Sequence, residues 1–178
     1  MTTLNRRIAG DVEGDFVVLL IGMRINKLWK VHRWLPVFRG MPRMLDRLEN
    51  DPNSGLLGYE VSLGLRNHLV IQYWRSFEQL HAFATDGDDM HVPTWQRFNR
   101  TVGDNGDVGI WHELFIVESD RFEAIYRNVP LRGLASAADY VPATGRQRTS
   151  SGRLGFTDGE DTLVDETGIL REAHDRGR

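Results

Sequence analysis

The chain contains no cysteine. That excludes disulfides, iron–sulfur clusters, thiolate zinc sites and a cysteine nucleophile. It also lacks any apolar run near the roughly 18 residues that a spanning helix needs. Its start, MTTLNRRIAGDVEGD, has no apolar stretch of the secretory kind, so the cytoplasm is the expected compartment. There is no excess charge of one sign: 22 basic and 25 acidic side chains give a net charge of −3. Such a balance gives no general attraction to phosphate backbones or anionic membranes, so neither nucleic acid nor membrane is expected as a partner. No P-loop, no GxGxxG after a strand and no GxSxG occurs, which leaves nucleotide-binding and serine-hydrolase readings without support. Asp86, Asp88, Asp89 and His91 are crowded but not at EF-hand spacing, and no metal is expected beyond a haem iron.

What is present is ordinary for a soluble globular chain: 40% hydrophobic and 26% charged residues in 178. The aromatic residues divide it. All but Phe156 precede Thr144. From Thr144 to Arg178 there are seven acids and six arginines with few large apolar side chains. That composition buries too little apolar surface to offset ordering entropy, so residues 144–178 read as a polar tail or surface arm, with a short helix around Asp161–His174 as one option. The working domain is then 12–143.

Hydrophobic period places the elements. Asp15–Asn26 is an apolar, β-branched run and reads as a strand. In Lys30–Asn50 the residues Val37, Met41, Met44, Leu45 and Leu48 fall at helical spacing; Pro36 suits a first turn and Pro42 should kink or split the helix. Leu56–Leu65 alternates and pairs with His68–Arg75 across a tight turn. Ser76-Phe-Glu-Gln79 is a capping box opening a helix to about Ala84, which resumes near His91. Val108–Val117 is the fourth strand and Phe122–Tyr126 an optional fifth. Asn128–Pro142 reads as a loop and a candidate lid. The order βαββαβ is α+β, that of a ferredoxin-like unit with both helices on one face of an antiparallel sheet. The other face then needs a cover, which a second copy supplies, giving a homodimer.

Three clusters carry residue types suited to chemistry. Arg24 and Asn26, two apart at the end of the first strand, share a face and suit either an oxyanion site or a salt-bridged strand end. Trp74 shares a face with Gln72 and suits either a pocket wall or the core. His91, Trp95 and Phe98 fall at i, i+4 and i+7 and would set an imidazole beside two rings at a helix break. That imidazole suits haem ligation, acid–base work or a helix cap. His81 reads as a half-buried helix histidine. His112 shares its strand side with Ile110, Leu114 and Ile116 and lines either a pocket or a dimer contact.

The stretches DFVVLLIGMRINKLWKVHRWLPVFRGMPRML, LLGYE, IQYWRSFEQLHAFA, HVPTWQRFNR, VGDNGDVGIWHE and AIYRNVPLRGL carry a family likeness. Over about residues 12–155 the chain resembles the fumagillin-pathway monooxygenase-like family, related to the antibiotic-biosynthesis monooxygenases of the dimeric α/β-barrel superfamily. The resemblance implies a homodimer with an apolar pocket between sheet and helices in each subunit. Antibiotic-biosynthesis monooxygenases use no metal or flavin, whereas haem-degrading relatives and aldoxime dehydratases hold haem b through a histidine. The cofactor is therefore either none or haem b. Carried over by position, His91 resembles the axial ligand and Asn26 the strand asparagine of the haem degraders. Trp74 and Phe83 both fall near the region of their catalytic tryptophan, with Phe83 in its slot, a departure from that triad.

Two functions follow as expectations. One is a monooxygenase-type oxidoreductase acting on a small apolar molecule, phenolic or enolisable. In it His91, Arg24 and Asn26 are catalytic, and Trp74, Trp95, Phe98, Phe83 and His112 contact substrate. The other is a haem b-binding protein or haem-dependent enzyme of aldoxime-dehydratase type, or a binder of a hydrophobic ligand without turnover.

Overall fold

A computed structural model describes residues 3–85 and 104–156, together with 163–164 and 170–171. His91, Trp95 and Phe98 lie outside the described residues. The chain forms two compact units, Asp15–Ile116 and a second made of Met1–Gly14 with Val117–Arg178.

The second unit holds short strands: β1 Thr3–Leu4 and β2 Ile8–Asp11 from the N-terminal side. The larger unit follows with β3 Phe16–Ile25, α1 Val31–Phe38, α2 Gly40–Asn50, β4 Leu56–Leu63, β5 Asn67–Trp74, α3 Phe77–Thr85 and β6 Val108–Val117. Its four strands lie in the order β4-β5-β3-β6, with β3 antiparallel to β5 and β5 antiparallel to β4. This is the ferredoxin-like βαββαβ arrangement.

Strand alternation sets the two faces. Val17, Leu19, Ile21 and Met23 on β3 sit opposite Trp74, Gln72, Val70 and His68 on β5. Tyr59, Val61 and Leu63 of β4 continue that side. The helices cover it: Leu48 of α2 and Leu80 of α3 pack with Val17, Leu19 and Trp74 as the buried core. Each such side chain, fully buried, stabilises by about 1.5–3 kcal/mol. The opposite face carries Val18, Leu20, Leu69, Ile71 and Tyr73, with the Trp111 indole lying over Gly22; a Cβ there would overlap the ring.

Of the two options for the helical stretch, a kink or a split, the split is observed. The stretch is two helices broken at Arg39, with Pro42 in the first turn of α2 and Pro36 inside α1 rather than in a first turn. A proline ring at 42 would clash with the Phe38 carbonyl if the helix ran on, while in a first turn its missing N–H costs nothing. Ser76 caps α3 as expected, its Oγ accepting from the Gln79 N–H at 3.3 Å. At Gly55 the backbone turns with φ of 80°, and its carbonyl accepts from Arg75 N at 2.8 Å, closing the loop into β4.

In the other unit, β2 is flanked by β7 Ile125–Tyr126 and β9 Asp139–Pro142, and β1 pairs with β8 Val129–Pro130. The stretch 128–142 is therefore no loop. It contributes two strands and a helical turn, Leu134–Ala137, whose Leu134 and Ala135 are buried. The fifth strand is only two residues long. Residues 145–153 form two helical turns, Gly145–Arg148 and Ser150–Arg153. This part of the expected tail is anchored by Arg153, which is buried, donates to Gln147 O at 2.6 Å and pairs with Glu123 at 2.5 Å. Burial pushes the Glu123 carboxyl up, but bonds from Arg153 and Ser150 outweigh it and leave it below its ordinary value. Where a helix was an option near 161–174, Leu163–Val164 pairs with Leu170–Arg171 as antiparallel strands. Among the described residues no helix is long and apolar enough to cross a membrane.

Candidate functional site

Within the Asp15–Ile116 unit, a cavity of about 440 Å³ lies between the helix-facing side of the sheet and α1–α3. Its size is that of a small-molecule site. The sequence makes it apolar through two periods: odd residues of β3 on the sheet side, and Met41, Met44, Leu45 and Leu48 at helical spacing on α2. Four polar side chains line it among the described residues: His68, Gln72, His81 and His112.

Gln72 is buried at the centre of β5. Its Oε1 accepts from Trp74 Nε1 at 3.0 Å, and its Nε2 faces Met41 Sδ at 3.9 Å. Thioether sulfur is a weak acceptor, so that amide N–H₂ retains donor capacity toward the cavity. His68 begins the same alternation, beside Met23 on one neighbouring strand and Leu63 on the other. Phe38 packs edge-on against its ring at a centroid distance of 5.1 Å. Both ring nitrogens of His68 are buried with no hydrogen-bond partner among the described residues. A neutral imidazole has one donor and one acceptor, and leaving each unmet costs about 1–3 kcal/mol. His112 reaches the cavity from β6, and His81 from α3, where it stacks obliquely on Phe77 at 5.7 Å.

The residues singled out from sequence distribute as follows. Phe83 and His112 line the cavity. Trp74 does not; it is wholly buried behind Gln72, its ring 5.7 Å from Phe83. Arg24 and Asn26 share one end of β3 as expected, but Arg24 lies on the strand side opposite the cavity and neither lines it. Arg24 Nε donates to Asn26 Oδ1 at 3.1 Å and its Nη1 to Asn67 Oδ1 at 2.8 Å. Asn26 in turn donates to Gly106 O at 3.1 Å. This ties the end of β3 to the loop before β6. There Asp107, buried, pairs with Lys27 at 2.8 Å and Lys30 at 2.9 Å. Hydrogen bonds from Lys27, then from Lys30, hold its carboxyl below its ordinary value. The GMRIN and GDNGDV blocks thus meet as a brace. His68 was not singled out from sequence, although its alternation with Val70, Gln72 and Trp74 marks it as sharing their face.

Haem b is one of the two cofactor options carried by the resemblance. The described lining includes no lysine or arginine to pair with its two propionates, and the proposed ligand His91 is outside the described residues. His68, His81 and His112 are the imidazoles that the described lining offers to a haem iron.

Comparison with known proteins gives a family and distant structural likenesses. The family model described as Monooxygenase af470-like matches residues 16–134. None of the curated proteins matches the chain. Among solved structures, SnoaB, a cofactor-independent oxygenase from Streptomyces nogalater, is 13% identical at a TM-score of 0.40, covering 57% of this chain and 91% of its own. A dimeric protein of unknown function and ferredoxin-like fold from Bacteroides fragilis is 15% identical at 0.40, covering 56% and 96%. A conserved protein of unknown function from Bacteroides thetaiotaomicron is 11% identical at 0.43, covering 58% and 99%. With two thirds of its length matched by that model, the chain belongs to the Monooxygenase af470-like family.

Proposed function

We propose that the protein is a monooxygenase-type enzyme that takes an apolar small molecule bearing a phenolic or enolisable hydroxyl into the cavity of the Asp15–Ile116 unit. The observation that carries this reading is His68, an imidazole with both nitrogens unpartnered among the described residues, inside a largely apolar cavity. A substrate O–H restores the missing bond, and the imidazole then takes its proton. Low polarity around it favours a substrate whose charge is spread over a ring system. The Gln72 amide N–H₂ donates to the resulting oxyanion. The anion gives up its electrons to dioxygen. In the balanced reaction a phenol loses its O–H and one C–H hydrogen, one oxygen atom enters as a carbonyl, and the other leaves as water. Phe83 and His112 contact the substrate body. Arg24 and Asn26 position the strand end rather than touch substrate.

The family name supports oxygen chemistry. A homodimer belongs to the same proposal, because Trp111 and Phe115 leave the other sheet face half-exposed and apolar. The cytoplasm is the proposed compartment.

The test is oxygen uptake and labelled-dioxygen incorporation with a panel of naphthols, anthrones and related enols, under air and under argon. His68→Ala should retain its far-UV spectrum and lose turnover by about 10²-fold or more. His91→Ala run beside it separates the two histidines. Full turnover in His68→Ala removes that residue from the reaction, and binding of the panel without oxygen uptake makes the protein a carrier.

A further inference from the structure

Between Asp15 and Asp46 the chain carries six lysines and arginines and no acid, a separation that the net charge of −3 conceals. The fold gathers most of this segment at one end of the sheet. The β4–β5 turn is fixed there by Arg66, whose Nη1 donates to Asn26 O at 2.9 Å while its carbonyl accepts from Ile25 N at 2.8 Å. Phe38 against His68 sets the end of α1 at this edge, whereas Leu48 of α2 packs with Trp74 at the far end. Three large apolar side chains stand out into solvent from this end: Trp29 at 73%, Leu63 at 65% and Leu65 at 81% exposure. Leu63 also lines the cavity, so the exposed apolar surface runs into its mouth.

Exposed cations lie at the same end. Arg24, Arg39 and Arg43 are exposed and make no ion pair with a carboxylate among the described residues; Arg24 donates instead to the neutral Asn26 and Asn67. Asp46 lies one turn beyond Arg43 on α2, and two further acids stand in the loop before β6. Asp107 is buried and outnumbered by Lys27 and Lys30; Asp104 is exposed. Exposed indole and leucine side chains at the same end as exposed arginines match the layered chemistry of a bilayer surface, where tryptophan sits at headgroup depth and arginine meets lipid phosphate.

We propose that this end of the Asp15–Ile116 unit docks on an anionic lipid bilayer. Trp29 and Leu65 enter the headgroup boundary, and Arg24, Arg39 and Arg43 contact anionic headgroups. The surface needs no turnover to act, so its test is separate from that of the reaction.

The full-length protein is floated with phosphatidylcholine vesicles with and without phosphatidylserine, at low and high salt. Binding is expected only with phosphatidylserine, weakening as salt rises. Trp29→Ala or Leu65→Ser should weaken it by about tenfold. Arg39→Gln and Arg43→Gln should each weaken it by about fivefold. All four sites are exposed, and unchanged far-UV spectra check the fold. A blue shift of tryptophan emission on vesicle addition should vanish in Trp29→Phe. Absence of binding to phosphatidylserine vesicles, or undiminished binding by Trp29→Ala, overturns the proposal. Binding to soluble polyglutamate without binding to vesicles also overturns it, in favour of an acidic polypeptide.

Discussion

Replacing Trp74 with phenylalanine isolates the hydrogen bond on which the cavity floor rests. The indole is completely buried, and its N–H is the donor that satisfies Gln72 Oε1 at 3.0 Å. Phenylalanine keeps an aromatic ring at the centre of the Val17, Leu19, Leu48 and Leu80 cluster but removes that donor. An amide oxygen left unmet in a buried site costs about 1–3 kcal/mol. Roughly 40 Å³ of lost ring volume at about 24 cal/mol per Å³ adds roughly 1 kcal/mol. The expected loss is about 2–4 kcal/mol, read as a lower urea midpoint by far-UV circular dichroism at unchanged slope. Gln72→Leu alone orphans the indole N–H and costs a similar amount. The double variant Gln72→Leu/Trp74→Phe orphans neither, so its loss should fall short of the sum by about 2 kcal/mol or more. Additivity within about 0.5 kcal/mol would refute the reasoning, since it would mean that the two side chains do not depend on each other.

Two further outcomes follow from the same geometry. Gly22→Ala should destabilise by about 1–3 kcal/mol because its methyl displaces the Trp111 indole, and most of that loss should vanish in a Trp111→Ala background, as measured by thermal unfolding. Asp107 has a folded-state pKa below its ordinary 3.8, so the stability it contributes is complete above that value and fades as pH falls through the lower folded one. The gap in urea midpoint between wild type and Asp107→Asn should therefore hold at neutral pH and close below about 3.8; a gap independent of pH would contradict the paired carboxylate.

The larger unit was legible because its signals are local and periodic. The alternation in Leu57, Tyr59, Val61 and Leu63, the apolar run after Asp15 and the Ser76 box each concern neighbours in sequence, and each element lies within two residues of its expected place. The smaller unit was not legible. Its strands are two to four residues long, too short for a period to register, and they pair Ile8 with Pro142 across most of the chain. Arg153 hid for a different reason: an arginine in a polar stretch reads as solvated, and nothing local reveals that Glu123 awaits it. At the candidate site, spacing correctly grouped Gln72 with Trp74 and placed Arg24 beside Asn26. Which side of β3 faces the helices is a tertiary choice, and it put Arg24 away from the cavity and His68 within it.

The pairing of Ile8–Asp11 with Asp139–Pro142 makes the Asp15–Ile116 unit an insertion inside another. During synthesis the inserted part emerges whole while its host still lacks a partner strand. Closing so long a loop is entropically cheap only once the intervening chain has already compacted and brought the ends together. Vectorial folding would thus run from the inside outward, with Ile8–Asp11 finding its place after the unit that follows it, although it leaves the ribosome earlier.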